Sequence, residues 1–391
     1  MRRILQLTTK PPYPLKDGGA LATAHTLEAI HELGWAAWGL TMNTYKHRFE
    51  LPPNLPIPIT VVEMNTRPTL YGAFMNLFSS LPYHLVRFQS RAYAHTLEEL
   101  IQAFRPDLVQ VESLYLTPYV EKLPVRRVYR MHNIESQIWH RYAQEQSWYL
   151  RSYFRLQAQR IERYELQALP TYDGILAISE KEAQWSQAKH PKGRVMVFPF
   201  GLEIERYNAP PLEREPPRIG FIGGLDWLPN LEGLVWFLEK VWIPFRRKHP
   251  KAILSIAGRN TPSWLSRYAD SHTHILGEIT EAREFFYSND IFVVPLFSGS
   301  GIRIKLIEAF ATGRAVVATP IAAEGLTCKA GHHLLIAETP HQFIEALSLL
   351  YTDASLRARL GEAARSLAER VYDRKSFLPH LREFYESLLS L

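Results

Sequence analysis

Residues 208–217 read NAPPLEREPP, a proline-rich polar stretch without apolar periodicity, and the same local pattern runs on both sides of it. Proline fixes φ and removes a backbone donor, so such a stretch interrupts regular structure and reads as a linker or the exit from one. Before it, the apolar run Ile4 to Leu7 passes through a Pro/Gly loop containing Gly18 and Gly19 into a helix from about Ala20 to Leu33, closed by Gly34. After it, Ile219 to Ile222 passes through Gly223 and Gly224 into a helix that begins near Asn230. Further short apolar runs follow in each half. In the first they are Ala36 to Thr41, Ile59 to Val62, Leu108 to Val111, Arg127 to Arg130, Gly174 to Ile178 and Val195 to Phe198; in the second, Ile253 to Ala257, His274 to Leu276, Ile291 to Pro295 and Ala315 to Thr319. Strands alternating with helices predict parallel sheets covered on both faces. The expected fold class is α/β, with two Rossmann-like doubly wound domains in tandem. The division expected is residues 1–205 and 206–373.

The length agrees with two cores, since 391 residues exceed what one ordinary core takes. No run of about 20 apolar residues is present, so no spanning helix is expected. The start, MRRILQLTTKPPYP, lacks the apolar core of a signal peptide, and Cys328 is the only cysteine, which rules out an intrachain disulfide or a cysteine zinc site. A cytoplasmic location is the default expectation. The net charge of +6 is uneven: residues 1–200 hold 23 Lys and Arg against 17 Asp and Glu, and residues 201–391 hold 22 against 22. The excess concentrates in 126–163, where eight arginines and three acids interleave with Trp139, Tyr142, Trp148, Tyr149, Tyr153 and Phe154. One reading is a single long amphipathic helix, about 136–168, with aromatics in the core and arginines in water. The other is a basic aromatic surface that lies on an anionic membrane, peripherally at its inner face, or holds an anionic acceptor. The excess is small and no nucleic-acid module is present, so nucleic acid is not an expected partner.

Residues 298–325, SGSGIRIKLIEAFATGRAVVATPIAAEG, carry the strongest chemical signal. They read as a Gly/Ser turn, a helix over 301–311, a turn at Gly313 and a buried strand. A helix N-terminus offers unpaired N–H groups and partial positive charge to an anion. Arg303 and Lys305 beside it suit a diphosphate, and Glu308, one turn on, suits ribose hydroxyls. A surface ion pair between Lys305 and Glu308 is the plainer alternative. The other residues of this helix are apolar, so its charges call for a reason. Lys16-Asp17-Gly18-Gly19 and Gly223-Gly224 occupy matching strand-to-helix turns, where glycine lets backbone approach a phosphate. Neither is a GxGxxG or GxxxxGK[ST] fingerprint, and a tight turn is the more common explanation for each. His132, with Asn133 and Glu135, follows a strand at its carboxyl end, placed to donate to a sugar or take part in proton movement. Gly258-Arg259 and Gly277-Glu278-Ile279 are further strand-end turns where a base can pack.

Together these segments resemble the family-4-type retaining glycosyltransferases of GT-B fold. The resemblance runs through RIGFIGGLDWLPNLEGLVWFL, AILSIAGRN, ILGEI and the 298–325 motif in the second half. In the first it runs more loosely, through YPLKDGGAL, RPDLVQVE, RMHNIES and LAISEKEAQ. It implies two domains facing across a cleft, an acceptor-binding first and a nucleotide-sugar-binding second, with the terminal helix, about 374–391, packing back on the first. It implies metal-independent sugar transfer, with retention, from a nucleotide diphosphate sugar to a glycan or lipid-linked acceptor in envelope or exported polysaccharide assembly. No cofactor is implied beyond the donor itself. The resemblance places Glu308 on the ribose and Arg303 and Lys305 on the diphosphate. It also places His132 on the donor sugar, Gly19 near the diphosphate and the Ile279 main chain on the base. Gly223, Gly224, Asn230 and Arg259 join the donor side; Asp17, Gly18, Asn133 and Glu135 join the acceptor side. Two departures stand out. Ser300 occupies the place of the first acid of the family's paired-Glu motif, so Ser300, Gly301 and Ile302 are expected to offer backbone N–H groups instead. The segment after the first strand of the second domain, GGLDWLPN, lacks the basic residues usual there. A catalytically silent nucleotide-sugar-binding subunit and a sugar-nucleotide epimerase of the same fold are the alternatives.

Overall fold

The protein is described here from a computed structural model, which covers residues 1–14, 18–45, 48, 50–209, 214–299 and 302–390. The chain forms two compact units, Met1–Phe200 with Phe377–Leu391, and Gly201–Ser376. The first therefore ends shortly before residue 205.

In the first unit the apolar runs become β1 (Arg3–Thr8), β2 (Ala36–Thr44), β3 (Ile59–Met64), β4 (Leu108–Val111), β5 (Arg126–Met131), β6 (Gly174–Ala177) and β7 (Arg194–Val197). They form one parallel sheet in the order β3-β2-β1-β4-β5-β6-β7. All four residues of β4 are buried, as a central strand covered on both faces requires. In the second unit β8 (Arg218–Ile222), β9 (Ile253–Ala257), β10 (Thr273–Gly277), β11 (Ile291–Val294), β12 (Ala315–Ala318) and β13 (Leu335–Ile336) form a parallel sheet in the order β10-β9-β8-β11-β12-β13. The order of connection reverses between β1 and β4, and again between β8 and β11. Loops leaving the two strands at such a point run to opposite sides and open a crevice at the carboxyl ends.

The terminal helix, Arg374–Leu389, belongs largely to the first unit's core. Its Leu381, Tyr385 and Leu388 are fully buried with Ile4, Leu27, Val128 and Leu176. A Cβ on Gly174 would come within 2.7 Å of Leu388 and 2.8 Å of Phe384, so the start of β6 has to be glycine for the helix to seat.

The single helix expected over about 136–168 is two, Glu135–Glu145 and Trp148–Ala168, folded against each other about Gln146 and Ser147. His140 Nε2 lies 2.9 Å from Glu162 Oε2 across the pair. The buried Glu165 carboxylate accepts from the Glu135 and Ser136 N–H groups at 2.8 and 3.0 Å, satisfying the first helix's free N-terminal donors. No Gly or Pro marks the turn, so periodicity alone runs straight through it. The reading with its aromatics in the core is also overturned in part, because Tyr142, Trp148 and Tyr149 are exposed. The short helices Leu70–Asn76 and Tyr83–Arg87 and the two-residue β13 are further elements that the sequence pattern does not announce. In the second unit the helix expected to begin near Asn230 starts at Leu228 and continues, through a wider turn at Phe237–Trp242, to Lys248.

Candidate active site

At the carboxyl edge of the second sheet three turns lie side by side. Gly223 N–H donates to the Ala257 carbonyl at 3.1 Å, Leu225 N–H to the Arg259 carbonyl at 2.9 Å, and Gly258 N–H to the Gly277 carbonyl at 2.8 Å. Glycine is a packing requirement here. A Cβ on Gly258 would stand 2.4 Å from the Gly223 carbonyl oxygen, and one on Gly223 would stand 2.6 Å from Lys305 Nζ and 2.8 Å from Asn230 Nδ2.

Lys305 therefore reaches back from the helix Ile304–Ala311 to the end of β8. Its Nζ donates to Asn230 Oδ1 at 2.9 Å, and Asn230 Nδ2 donates to the Gly224 carbonyl at 2.9 Å. The ammonium also stands 5.1 Å from the centroid of the Phe221 ring. Burial, reinforced by Arg303, pushes Lys305 down to about 7 against the opposing pull of Glu308. Arg303 sits just before the helix, which begins at Ile304, three residues later than expected from sequence. Its buried guanidinium lies 5.5 Å from the Trp227 ring centroid. Burial lowers its pKa, and Glu324 opposes that shift. Gly299, at φ +105°, makes room for this pair, since a Cβ there would approach the Trp227 ring to 2.8 Å.

Glu308 accepts from the Tyr207 hydroxyl at 3.1 Å. Burial pushes its carboxyl up to about 7, opposed by Tyr207 and Lys305. Lys305 bonds to Asn230 and Glu308 to Tyr207, an arrangement unlike the surface ion pair that their spacing also allowed. Arg259 bonds to Asp226 at 3.2 Å and comes within 3.6 Å of a Cβ position on Gly224. The GGLDWLPN turn has no cation of its own, and the end of β9 supplies one. Ile302 is half-buried beside Gly325, and Ile279 is half-buried two residues beyond Gly277. Ser300 and Gly301 lie outside the described residues. Tyr207 and Asp226, which hold Glu308 and Arg259, were missed in the sequence, because each lies far along the chain from its partner.

The first unit carries a second cluster at its own switch point. His132, at the end of β5, places Nε2 2.7 Å from Glu112 Oε2 at the end of β4. Glu112 Oε1 also accepts from Gln6 Nε2 at 2.8 Å and from Gln110 Nε2 at 2.5 Å. The Tyr385 hydroxyl from the terminal helix donates to Gln110 Oε1, and Gln6 Nε2 reaches the Thr23 carbonyl at 3.1 Å. A carboxylate only accepts, so Nε2 is the donor of this pair. Glu112 lies within the RPDLVQVE segment, yet alternation makes it one more strand-end residue, and its role shows only when β4 and β5 pair. Glu135 does not join His132. Its carboxylate accepts from the Tyr115 hydroxyl at 2.7 Å, and burial pushes it up to about 7. Asn133 is half-buried beside His132, Gly18 and Gly19 open the helix Gly18–Glu32, and Asp17 lies outside the described residues.

Residues 216–353 match the family model for glycosyl transferases group 1, and residues 55–206 match that for glycosyltransferase family 4. The chain belongs to the family-4-type glycosyltransferases. It is 23% identical over 398 residues to an uncharacterised 44.6 kDa protein in a cps region of Klebsiella pneumoniae, covering 96% of this chain and 97% of the relative. A phosphatidyl-myo-inositol mannosyltransferase of Mycobacterium leprae is 26% identical over 234 residues, covering 55% of this chain and 59% of that one. Among solved structures, the sucrose-phosphate synthase of Thermosynechococcus elongatus aligns over 100% of both chains with a TM-score of 0.74 at 14% identity. Anabaena HepE in complex with UDP and glucose covers 99% of this chain and 100% of its own, with a TM-score of 0.67 at 13% identity. These likenesses show the GT-B fold.

The half-buried Lys305 charge carries a stability cost. Lys305 is held near 7 in the folded chain against about 10.4 when unfolded. Its penalty is therefore full below pH 7 and fades as the pH rises toward the unfolded value. Lys305→Met is expected to raise unfolding free energy at pH 6 by an amount on the order of 1 kcal/mol, with the gain shrinking by pH 9.5, as read by urea titration. In the first unit, Glu112→Leu removes the acceptor of the Gln110 amide and leaves Gln6 only the Thr23 carbonyl. It is expected to destabilise that unit by about 2–5 kcal/mol in the same titration, while Glu112→Gln costs less.

Proposed function

We propose that this transferase moves a sugar from a nucleoside diphosphate sugar to an acceptor hydroxyl with retention of anomeric configuration. The observation that carries the reading is the Lys305–Asn230–Gly224 chain. It holds an ammonium whose charged form is disfavoured in the free protein at a glycine turn beyond β8. A diphosphate is the ligand that supplies the missing counter-charge. In this reading Arg303 and Lys305 stabilise the diphosphate as it leaves, without a metal, and Arg259 flanks the Gly223-Gly224 turn. Glu308 holds the ribose, with Tyr207 orienting it. The main chain at Ile279 meets the base, and Ser300, Gly301 and Ile302 offer N–H groups. His132, held by Glu112, meets the donor sugar near Gly19, and Asp17, Gly18 and Asn133 belong to the acceptor side.

The bond from the anomeric carbon to the β-phosphate oxygen breaks while the acceptor oxygen bonds to the same face of that carbon. The acceptor proton passes to the departing phosphate oxygen, so no protein nucleophile is required. Two cations fixed before the reaction stabilise the developing charge more cheaply than reorganising water would. The relative from a cps region and the mannosyltransferases whose printed names include phosphatidyl-myo-inositol support a role in surface glycan assembly on a glycan or lipid-linked acceptor. The basic first unit supports a cytoplasmic enzyme in peripheral contact with the inner membrane face.

A thermal-shift screen across nucleoside diphosphate sugars identifies the donor, because only a ligand of the folded state raises the melting midpoint by mass action. With that donor, Lys305→Ala and Glu308→Ala are each expected to lower kcat/KM by at least about a hundredfold. Unchanged turnover in both variants overturns the site. The pH dependence of donor binding checks the charges separately. Lys305 takes up a proton when an anion binds, so affinity falls as pH rises above 7. Glu308 releases one to accept ribose hydroxyls, so affinity falls as pH drops below 7. Calorimetric titrations from pH 5.5 to 9 are expected to peak near pH 7, with Lys305→Met losing the alkaline limb and Glu308→Gln the acid limb.

A further inference from the structure

The helix Leu70–Asn76 is inside out. Its one buried residue is Asn76, while Tyr71, Phe74 and Met75 face outward, joined one turn later by Phe78, which is 80% exposed. These four fall at i, i+3, i+4 and i+7, a single helical stripe. Asn76 is what holds the helix down. Its Oδ1 accepts from Gln157 Nε2 at 3.0 Å, and its Nδ2 donates to the Leu81 carbonyl at 3.0 Å. Arg160 secures the end of the segment through the Asn76 and Leu77 carbonyls at 2.8 and 3.0 Å. Thr69 caps the start by accepting from Gly72 N–H at 3.0 Å. The polar anchors thus fix an apolar stripe in the exposed position. These anchors come from the helix Trp148–Ala168, whose own start presents Trp148 at 83% and Tyr149 at 66% exposure.

The stretches of chain that carry this surface are basic. Residues 64–97 contain three arginines and no acid, and residues 146–161 contain three arginines and no acid. A protein-binding patch has an apolar centre with a mixed polar rim. Here the apolar helix, and an exposed Trp-Tyr corner on the helix that anchors it, lie in arginine-bearing stretches with acids only at their edges (Glu63, Glu98, Glu145 and Glu162), a composition that suits a helix resting at an anionic lipid interface.

We infer that the 70–81 segment and the Trp148-Tyr149 corner insert together into the interface of a membrane rich in anionic lipid. The inference deepens the membrane contact proposed above by giving its place and lipid class, and it does not depend on the donor site. Tyr71, Phe74, Met75 and Phe78 enter the headgroup–acyl boundary, and Arg151 and Arg155 meet lipid phosphates.

The test is co-sedimentation of the full chain with vesicles of phosphatidylcholine alone or with phosphatidylglycerol added. Wild type is expected to bind the anionic vesicles, more weakly as salt is raised and little to the neutral ones. The double variant Phe74→Ser/Phe78→Ser is expected to lose about tenfold or more in partition coefficient. Arg151→Gln/Arg155→Gln is expected to flatten the salt dependence. Trp148→Phe should remove a component of tryptophan fluorescence quenched by acyl-brominated lipid. Phe74, Phe78, Trp148 and Arg155 are exposed and Arg151 is half-buried, and an unchanged melting midpoint shows that each variant is folded. Equal binding by wild type and Phe74→Ser/Phe78→Ser overturns the inference. So does failure of wild type to bind anionic vesicles, including the case where the stripe instead mediates self-association abolished by the same variants. Vesicle binding by a chain that binds no nucleotide sugar would sink the donor-site reading and leave this one standing.

Discussion

The contact on which the second unit's strand-end cluster depends is the approach of Lys305 Nζ to a glycine. Nζ can reach Asn230 at the end of β8 only because Gly223 has no Cβ to occupy the same space. Asn230 in turn bonds to the Gly224 carbonyl, so one side chain ties the loop after β8 to the lysine of a helix that follows β11. β8 and β11 are the neighbours between which the strand order reverses. The bridge therefore spans the switch-point crevice, and the topology of the sheet becomes the geometry of a charge. The neighbouring turns at Gly258 and Gly277 support that geometry through main-chain hydrogen bonds, which hold the Gly223–Leu225 segment against the end of β9.

The first unit uses the same topological device with a different side chain. Glu112 ends β4, and His132 ends β5 beside it. Three further groups, from β1, β4 and the terminal helix, complete the network through Gln6, Gln110 and Tyr385. A buried carboxylate is stable only with its acceptor capacity filled, and here two amides and an imidazole fill it. Because Tyr385 comes from the helix Arg374–Leu389, the position of the histidine is linked to the packing of the last residues of the chain.

What was legible in the sequence was whatever local periodicity encodes. Strand positions, the doubly wound class, the glycine turns and the Arg303–Lys305–Glu308 grouping all follow from runs, turns and spacing within a few dozen residues. What was illegible depends on pairing at a distance. Glu112 needs β5 beside β4, Tyr207 needs the 304–311 helix beside the 204–207 turn, and Arg259 needs β9 beside β8 before it can reach Asp226. The break at Gln146–Ser147 escaped because neither residue disrupts a helix, and the folded-back pair forms only through contacts such as His140 with Glu162. The inside-out helix escaped for the opposite reason: an apolar stripe reads as core, and only Asn76 in the structure shows which face points inward.

Lys305 and Glu308 are charged where folding alone works against charge. Burial works against both, and each is drawn toward neutrality, the lysine downward and the carboxyl upward. Stability alone would favour apolar residues at both places, since unpaired buried charge is costly and well-packed apolar replacements are tolerated. In the function proposed above, a ligand completes the electrostatics of the pair: a diphosphate would restore the lysine's charge, ribose hydroxyls would complete the carboxylate's hydrogen bonds, and the free energy lost in folding the charges into place would return as binding.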